Sequence, residues 1–248
     1  MKYQRAGEGA AVVLVHSLGA DRSMWRAEAE RLQRRYTVVS VDLPGHGESP
    51  APSLITCDGI ARELAQIIRT EDLAPAVIVG HSLGGTIAAW VPLVDTGVAR
   101  AVVISDSSIA ELPFPEKDRN ELRAQLVSEP VATLRSFYGR IAQPAQIDRL
   151  VETARRVPAP AFMGYLDAAA SQAIADGGRG LTLPVLVQAS PLLVANPHDR
   201  DAELARAGYA NVADLTFDYF AGARHWIVWD QPAAFAASLD SFLARLVH

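Results

Sequence analysis

The chain has 248 residues, of which 50% are hydrophobic and 21% charged, and its formal net charge is -5. That composition supports a sizeable core and excludes a largely disordered chain. The negative balance leaves no basic footprint for nucleic acid or for an anionic membrane surface. A single cysteine, Cys57, excludes an internal disulfide and a cysteine-based metal site, and no metal or cofactor is expected. No apolar h-region follows Met1-Lys2-Tyr3-Gln4-Arg5 and no apolar run reaches spanning length, so the expectation is a soluble, cytoplasmic protein.

Taken in order, residues 10–15 are a continuous, β-branched apolar run, as in a strand buried on both faces of a parallel sheet. The run ends in His16-Ser17-Leu18-Gly19-Ala20, a small-residue loop able to bring backbone N–H groups close to a ligand. A helix is predicted over 25–35 and a second strand over 36–41, leading into the Pro- and Gly-rich turn Asp42-Leu43-Pro44-Gly45-His46-Gly47-Glu48-Ser49. Ile60, Leu64, Ile67 and Ile68 recur at helical spacing, and Cys57 reads as a partly buried residue near the start of that helix.

Val77-Ile78-Val79-Gly80-His81-Ser82-Leu83-Gly84-Gly85 then joins an apolar strand directly to a helix-forming run. A strand that reverses sharply into a helix strains the residue at the corner and needs small neighbours, which Gly80 and Gly84 supply. Ser82 is thereby exposed above a sheet at a helix N-terminus, where developing negative charge is favoured. Residues 100–105 read as the next buried strand, with Asp106 at its C-terminal end. Ligand chemistry in open α/β sheets lies beyond such ends, although a residue there can also serve only to cap the following turn.

The pattern changes over 111–180, where charged helical segments are interrupted at Pro130, Pro144, Pro158 and Pro160 and no convincing strand occurs. This stretch is predicted to be a helical lid inserted into a core domain of residues 1–110 and 181–248. Phe114, Phe137, Tyr138, Phe162, Met163 and Tyr165 are candidates to line a pocket beneath it or to pack it on the core. Strands are predicted again over 183–188 and 215–220, then a loop carrying His225, then an amphipathic helix over 232–246. The alternation of strand and helix predicts an α/β fold, a doubly wound and mostly parallel sheet.

Four segments in this order carry a resemblance to the α/β-hydrolase family over essentially the whole chain: His16-Ser17-Leu18-Gly19, the 42–49 turn, Gly80-His81-Ser82-Leu83-Gly84-Gly85, and Gly222-Ala223-Arg224-His225-Trp226. The resemblance implies an α/β-hydrolase fold with Ser82 as nucleophile and His225 as general base and then general acid. It further implies an oxyanion hole made by the backbone N–H groups of Leu18 and Leu83. Ser17 departs from the glycine usual in the family. His16 and His81 are expected to orient loops, His46 to fit a turn, and His198 and His248 to be solvated.

The third triad member is open. Most relatives carry the acid just after the penultimate strand, but Ala189-Ser190-Pro191-Leu192-Leu193-Val194-Ala195-Asn196-Pro197 contains no carboxylate. Asp199 and Asp201 come slightly later, and Asp106 is the alternative that the strand-end geometry favours. The leading expectation is a serine hydrolase cleaving a carboxylic ester or lactone of a partly apolar small molecule. Two alternatives on the same fold are a cofactor-free 3-hydroxy-4-quinolone-type dioxygenase using His225 and Asp106, and a small-molecule receptor.

Overall fold

The computed structural model describes residues 1–171 and 173–246, so His248 lies outside the described residues. Among the described residues seven strands form one sheet: β1 (Lys2–Ala6), β2 (Ala11–Val15), β3 (Thr37–Asp42), β4 (Ala76–His81), β5 (Ala99–Ser105), β6 (Val185–Ala189) and β7 (Leu215–Tyr219). Their spatial order is β1-β3-β2-β4-β5-β6-β7. Only the β1–β3 pairing is antiparallel. Every residue of β2, β3, β4 and β6 is buried, and so is all of β5 except Arg100. That burial explains their near-continuous Val, Ile, Leu and Ala content, because a parallel sheet is covered on both faces.

The covering helices of the core are α1 (Arg26–Leu32), α2 (Cys57–Thr70) and α3 (Leu83–Val94), which precede β5. Right-handed crossovers place α1 on one face and α2 with α3 on the other. After β5 come α4 (Glu116–Ser128), α5 (Pro130–Gly139), α6 (Ile147–Ala154) and α7 (Ala159–Ser171), with no strand between β5 and β6 among the described residues. The chain closes with α8 (Arg200–Arg206) before β7, then α9 (Ile227–Asp230) and α10 (Pro232–Arg245). Trp25 and Phe235 pack with ring centroids 5.9 Å apart, and Arg31 pairs with Asp240 at 2.7 Å, so α10 lies beside α1. No helix among the described residues is long and apolar enough to cross a membrane.

The expected α/β, doubly wound, mostly parallel sheet is present, and its departures from the sequence expectation are local. β1 was not expected, because Lys2-Tyr3-Gln4-Arg5 has no apolar alternation. It is an exposed antiparallel edge, where polar and charged side chains are tolerated and deter further pairing. α8 and α9 are also unheralded, being too short to show a period. Helix α1 ends at Leu32 rather than Arg35, and a single 3-10 turn at Arg22–Trp25 leads into it. Pro130 and Pro144 begin helical turns rather than break them, since the first turn needs no N–H from its leading residue. Cys57 starts α2 and is buried, which pushes its thiol up to about 12.

The order of strands reverses direction between β2 and β4, because the chain leaves β2 toward β3 and leaves β4 toward β5. A crevice opens above the carboxyl ends of strands at such a switch point. The loop carrying Leu18 and the turn carrying Ser82 both rise from it.

Candidate active site

Ser82 is the corner between β4 and α3, with φ 53° and ψ -126°. A non-glycine residue in that region is strained and persists only where its surroundings dictate it. Two glycines do so here. A Cβ on Gly80 would meet the backbone of Gly84 and Gly85, and one on Gly84 would meet the carbonyls of Val15 and His16. The turn is thus pressed against β2 as tightly as backbone allows. The Ser82 carbonyl accepts from the N–H groups of Gly85 (2.7 Å) and Thr86 (3.2 Å), which leaves the first N–H groups of α3 without an intrahelical partner.

His225 Nε2 lies 2.8 Å from Ser82 Oγ, and His225 Nδ1 lies 2.7 Å from Asp106 Oδ2. Asp106 is only 3% exposed and has φ 50°, a left-handed conformation that aspartate tolerates better than most residues. Nδ1–H donates to that carboxylate, so Nε2 is the ring nitrogen free to accept the serine proton. Asp199 and Asp201 are both exposed on the segment that opens α8, and Arg200 engages Asp201. The structure brings together Ser82, His225 and Asp106, and it leaves Asp199 and Asp201 outside the site.

Sequence reasoning did not single out Ser190. It follows directly on β6, and it is completely buried. Its N–H donates to Asp106 Oδ1 at 2.7 Å and its hydroxyl to Asp106 Oδ2 at 3.0 Å. The absence of a carboxylate from this stretch was the signal available, since a buried carboxylate on the neighbouring strand end needs donors around it.

Three further histidines fasten loops. His81 Nε2 donates to the His225 carbonyl at 2.7 Å, and the His225 N–H donates to the Ile141 carbonyl at 3.1 Å. His16 Nε2 accepts from the Leu43 N–H at 2.9 Å while Nδ1 donates to the Ser17 carbonyl at 2.8 Å. His46 accepts from the Gly19 N–H at 3.1 Å, so it ties the 42–49 turn to the Leu18 loop rather than merely fitting a turn. Burial holds all three in the neutral form: His16 titrates below its ordinary range, His46 falls to about 3, and His81 falls well below it. His198 is exposed.

Above Ser82 lies a cavity of about 710 Å³ whose wall includes Leu18, Leu83, Asp106 and His225. Of the six aromatic and methionine candidates, Phe137, Tyr138 and Tyr165 line it. Phe114, Phe162 and Met163 do not; Phe162 and Met163 are core residues, and Phe162 packs edge-on against Phe137 at 5.8 Å. Tyr138 donates to the Leu18 carbonyl at 3.2 Å and Tyr165 to the Pro44 carbonyl at 3.0 Å. Burial raises both phenols, which remain neutral donors. The Ser17 hydroxyl, at the position where the family usually has glycine, points to Met24 Sδ at 3.7 Å. No group of three or more His, Cys, Asp or Glu side chains among the described residues is arranged to hold a metal ion.

A family model described as "Alpha/beta hydrolase family" matches residues 12–238. The chain belongs to the alpha/beta hydrolase family. An uncharacterized protein of Mycobacterium tuberculosis is 25% identical to this alpha/beta hydrolase over 264 residues, covering 97% of this chain and 77% of its own length. A thermophilic esterase from Thermogutta terrifontis shares its fold with a TM-score of 0.84 at 21% identity, over 99% of this chain and 93% of the esterase. The enol-lactonase from Burkholderia xenovorans matches with a TM-score of 0.82 at 20% identity, over 98% and 96% of the respective chains. Both likenesses concern this hydrolase's fold.

Proposed function

We propose that this alpha/beta hydrolase cleaves a carboxylic ester or lactone of a partly apolar small molecule through an acyl-enzyme on Ser82. One observation carries the reading: an unbroken chain of hydrogen bonds runs from Ser82 Oγ through His225 to buried Asp106 beside a largely apolar cavity. Serine alone is a weak nucleophile. An imidazole held in the correct tautomer by a carboxylate removes its proton as Oγ attacks the carbonyl carbon.

The backbone N–H groups of Leu18 and Leu83 are assigned to the oxyanion. Both residues line the cavity with Ser82, and Leu83 is the first residue of α3, so the helix makes no use of its N–H. His225 then gives its proton to the departing alcohol, and a water deprotonated by the same imidazole attacks the acyl carbon. That step releases the acid and restores Ser82 Oγ–H. Residues 111–180 are assigned the role of a lid. Support comes from Tyr138 and Tyr165, which reach from α5 and α7 to the Leu18 loop and the 42–49 turn.

The test is hydrolysis of short p-nitrophenyl esters by wild type and by Ser82→Ala. Turnover in wild type that disappears in the variant is the expected result. No turnover across several chain lengths, or activity that survives the substitution, overturns the reading. Oxygen uptake with quinolones, or ligand-induced stabilisation without turnover, then separates the oxygenase and receptor alternatives.

A further inference from the structure

The hydroxyl protons that line the cavity are engaged, whereas the buried Trp226 indole N–H in the same wall has no partner among the described residues. The two phenols and the Ser17 hydroxyl already donate to Leu18, Pro44 and Met24, and Ser82 donates to His225. Ser108 donates to the Ala207 carbonyl at 3.0 Å. Thr86 Oγ1 and Ser107 Oγ lie 3.0 Å apart, and each is 3.2 Å from the Ser108 carbonyl. A hydroxyl has one proton and two lone pairs. With both protons of this pair spent on each other and on the Ser108 carbonyl, what it still offers a ligand is lone pairs.

The pair is also close to the chemistry. Thr86 is one helical turn after Ser82 and donates its N–H to the Ser82 carbonyl, and Ser107 follows Asp106 directly. Thr86 and Ser107 are 7% and 8% exposed, and both line the cavity. The cationic side chain of the cavity wall, Arg206, is already engaged by Glu203 at 2.6 Å and the Leu193 carbonyl at 2.8 Å. Glu111, also in the wall, adds negative charge.

Resting on the proposed hydrolase reading, we propose that Thr86 and Ser107 form an accepting subsite that selects neutral esters carrying a hydrogen-bond donor, a hydroxyl or amide N–H, near the scissile carbonyl. With the wall's cation already engaged and Glu111 adding negative charge, a substrate carboxylate finds no free cation to compensate its desolvation, so esters with an anionic acyl group are discriminated against. An apolar analogue binds, but it leaves the spare lone pairs of these two oxygens without a donor.

The experiment compares matched esters by kcat/KM in wild type, Thr86→Val and Ser107→Ala. One series varies the acyl group (p-nitrophenyl butanoate, 3-hydroxybutanoate and hemisuccinate), and the other varies the alcohol (ethyl and 2-hydroxyethyl butanoate). The same esters are titrated against Ser82→Ala protein by thermal shift, so donor preference is read as binding whether or not the wild type turns over. The expected result is a preference for the hydroxylated member in one series of about threefold to tenfold. Hemisuccinate should be the poorest acyl donor, and the hydroxyl-to-alkyl ratio should fall toward one in both variants. A ratio near one in both series, a preference that both variants retain, or hemisuccinate as the best substrate overturns the subsite. A thermal-shift preference without any Ser82-dependent turnover supports the subsite and overturns the hydrolase reading instead.

Discussion

Ser190 donates both its backbone N–H and its hydroxyl to the two carboxylate oxygens of Asp106, at 2.7 and 3.0 Å. The hydroxyl shares Oδ2 with the imidazole of His225, so it competes with His225 Nδ1 for the same oxygen while fixing the carboxylate plane. Its own oxygen accepts from the Leu192 N–H at 3.1 Å, which locks the serine rotamer. Ser190→Ala removes a hydrogen bond to a charged group and should lower kcat by about tenfold with little change in KM. The remaining Nδ1–H bond to Asp106 then strengthens, and its proton resonance should move downfield. An unaltered resonance together with unaltered kcat would show that Ser190 does not position the carboxylate.

The acid itself is tested by substitution. Asp106→Asn keeps the shape but presents an amide to His225 Nδ1, which favours the wrong tautomer and should cost about 10⁴-fold in kcat. Asp199→Asn and Asp201→Asn, exposed and remote, should leave kcat/KM within about twofold of wild type, as surface changes distant from a site do. Near-normal kcat in Asp106→Asn would remove Asp106 from the proposed machinery.

Glycine substitutions should separate the elbow from the rest of the chain. A Cβ on Gly80 or Gly84 meets backbone that has no room to yield, so Gly80→Ala and Gly84→Ala should destabilise by more than about 4 kcal/mol or fail to give folded protein. Gly139 is a useful contrast. It closes α5, has nothing within 4 Å of its added Cβ, and is not among the residues with positive φ. Gly139→Ala should be neutral or should stabilise by up to about 1 kcal/mol, read as a shift in Tm.

Acid should destabilise the fold through its buried histidines. His16, His46 and His81 all titrate lower in the folded state than the ordinary 6.5, chiefly because burial penalises the imidazolium. The unfolded chain therefore binds more protons below that pH, and stability present above about 6.5 is lost as pH falls. Each histidine contributes a slope of up to about 1.4 kcal/mol per pH unit, and for His46 the loss continues toward about 3. Denaturation between pH 7 and 4.5 should show this decline. His46→Gln, which keeps an acceptor for Gly19 N–H, should flatten it; an identical slope in that variant would remove His46 from the account.

Much of the fold was legible because its strands are buried on both faces. Ala11–Val15, Thr37–Asp42, Ala76–His81 and Ala99–Ser105 must be apolar over several consecutive residues, and that pattern survives in sequence without any partner being named. The edge strand Lys2–Ala6 carries no such requirement and was invisible. The elbow was legible for a steric reason: Ser82 at φ 53° demands glycine at positions 80 and 84, and a steric demand on residue type is written directly in the chain.

By itself, then, the sequence determined the α/β architecture, the strained Ser82 corner and the candidacy of His225. Only the tertiary structure shows that Asp106 rather than a later aspartate meets His225, because that contact depends on which strand end faces the imidazole. It alone revealed Ser190 as a clamp on the carboxylate. It also decided which aromatic residues reach the cavity, since Phe137 and Phe162 share a chemistry and a segment, and their ring contact leaves only Phe137 in the cavity wall. Periodicity records that a side chain is buried. What it is buried against is settled when distant segments meet.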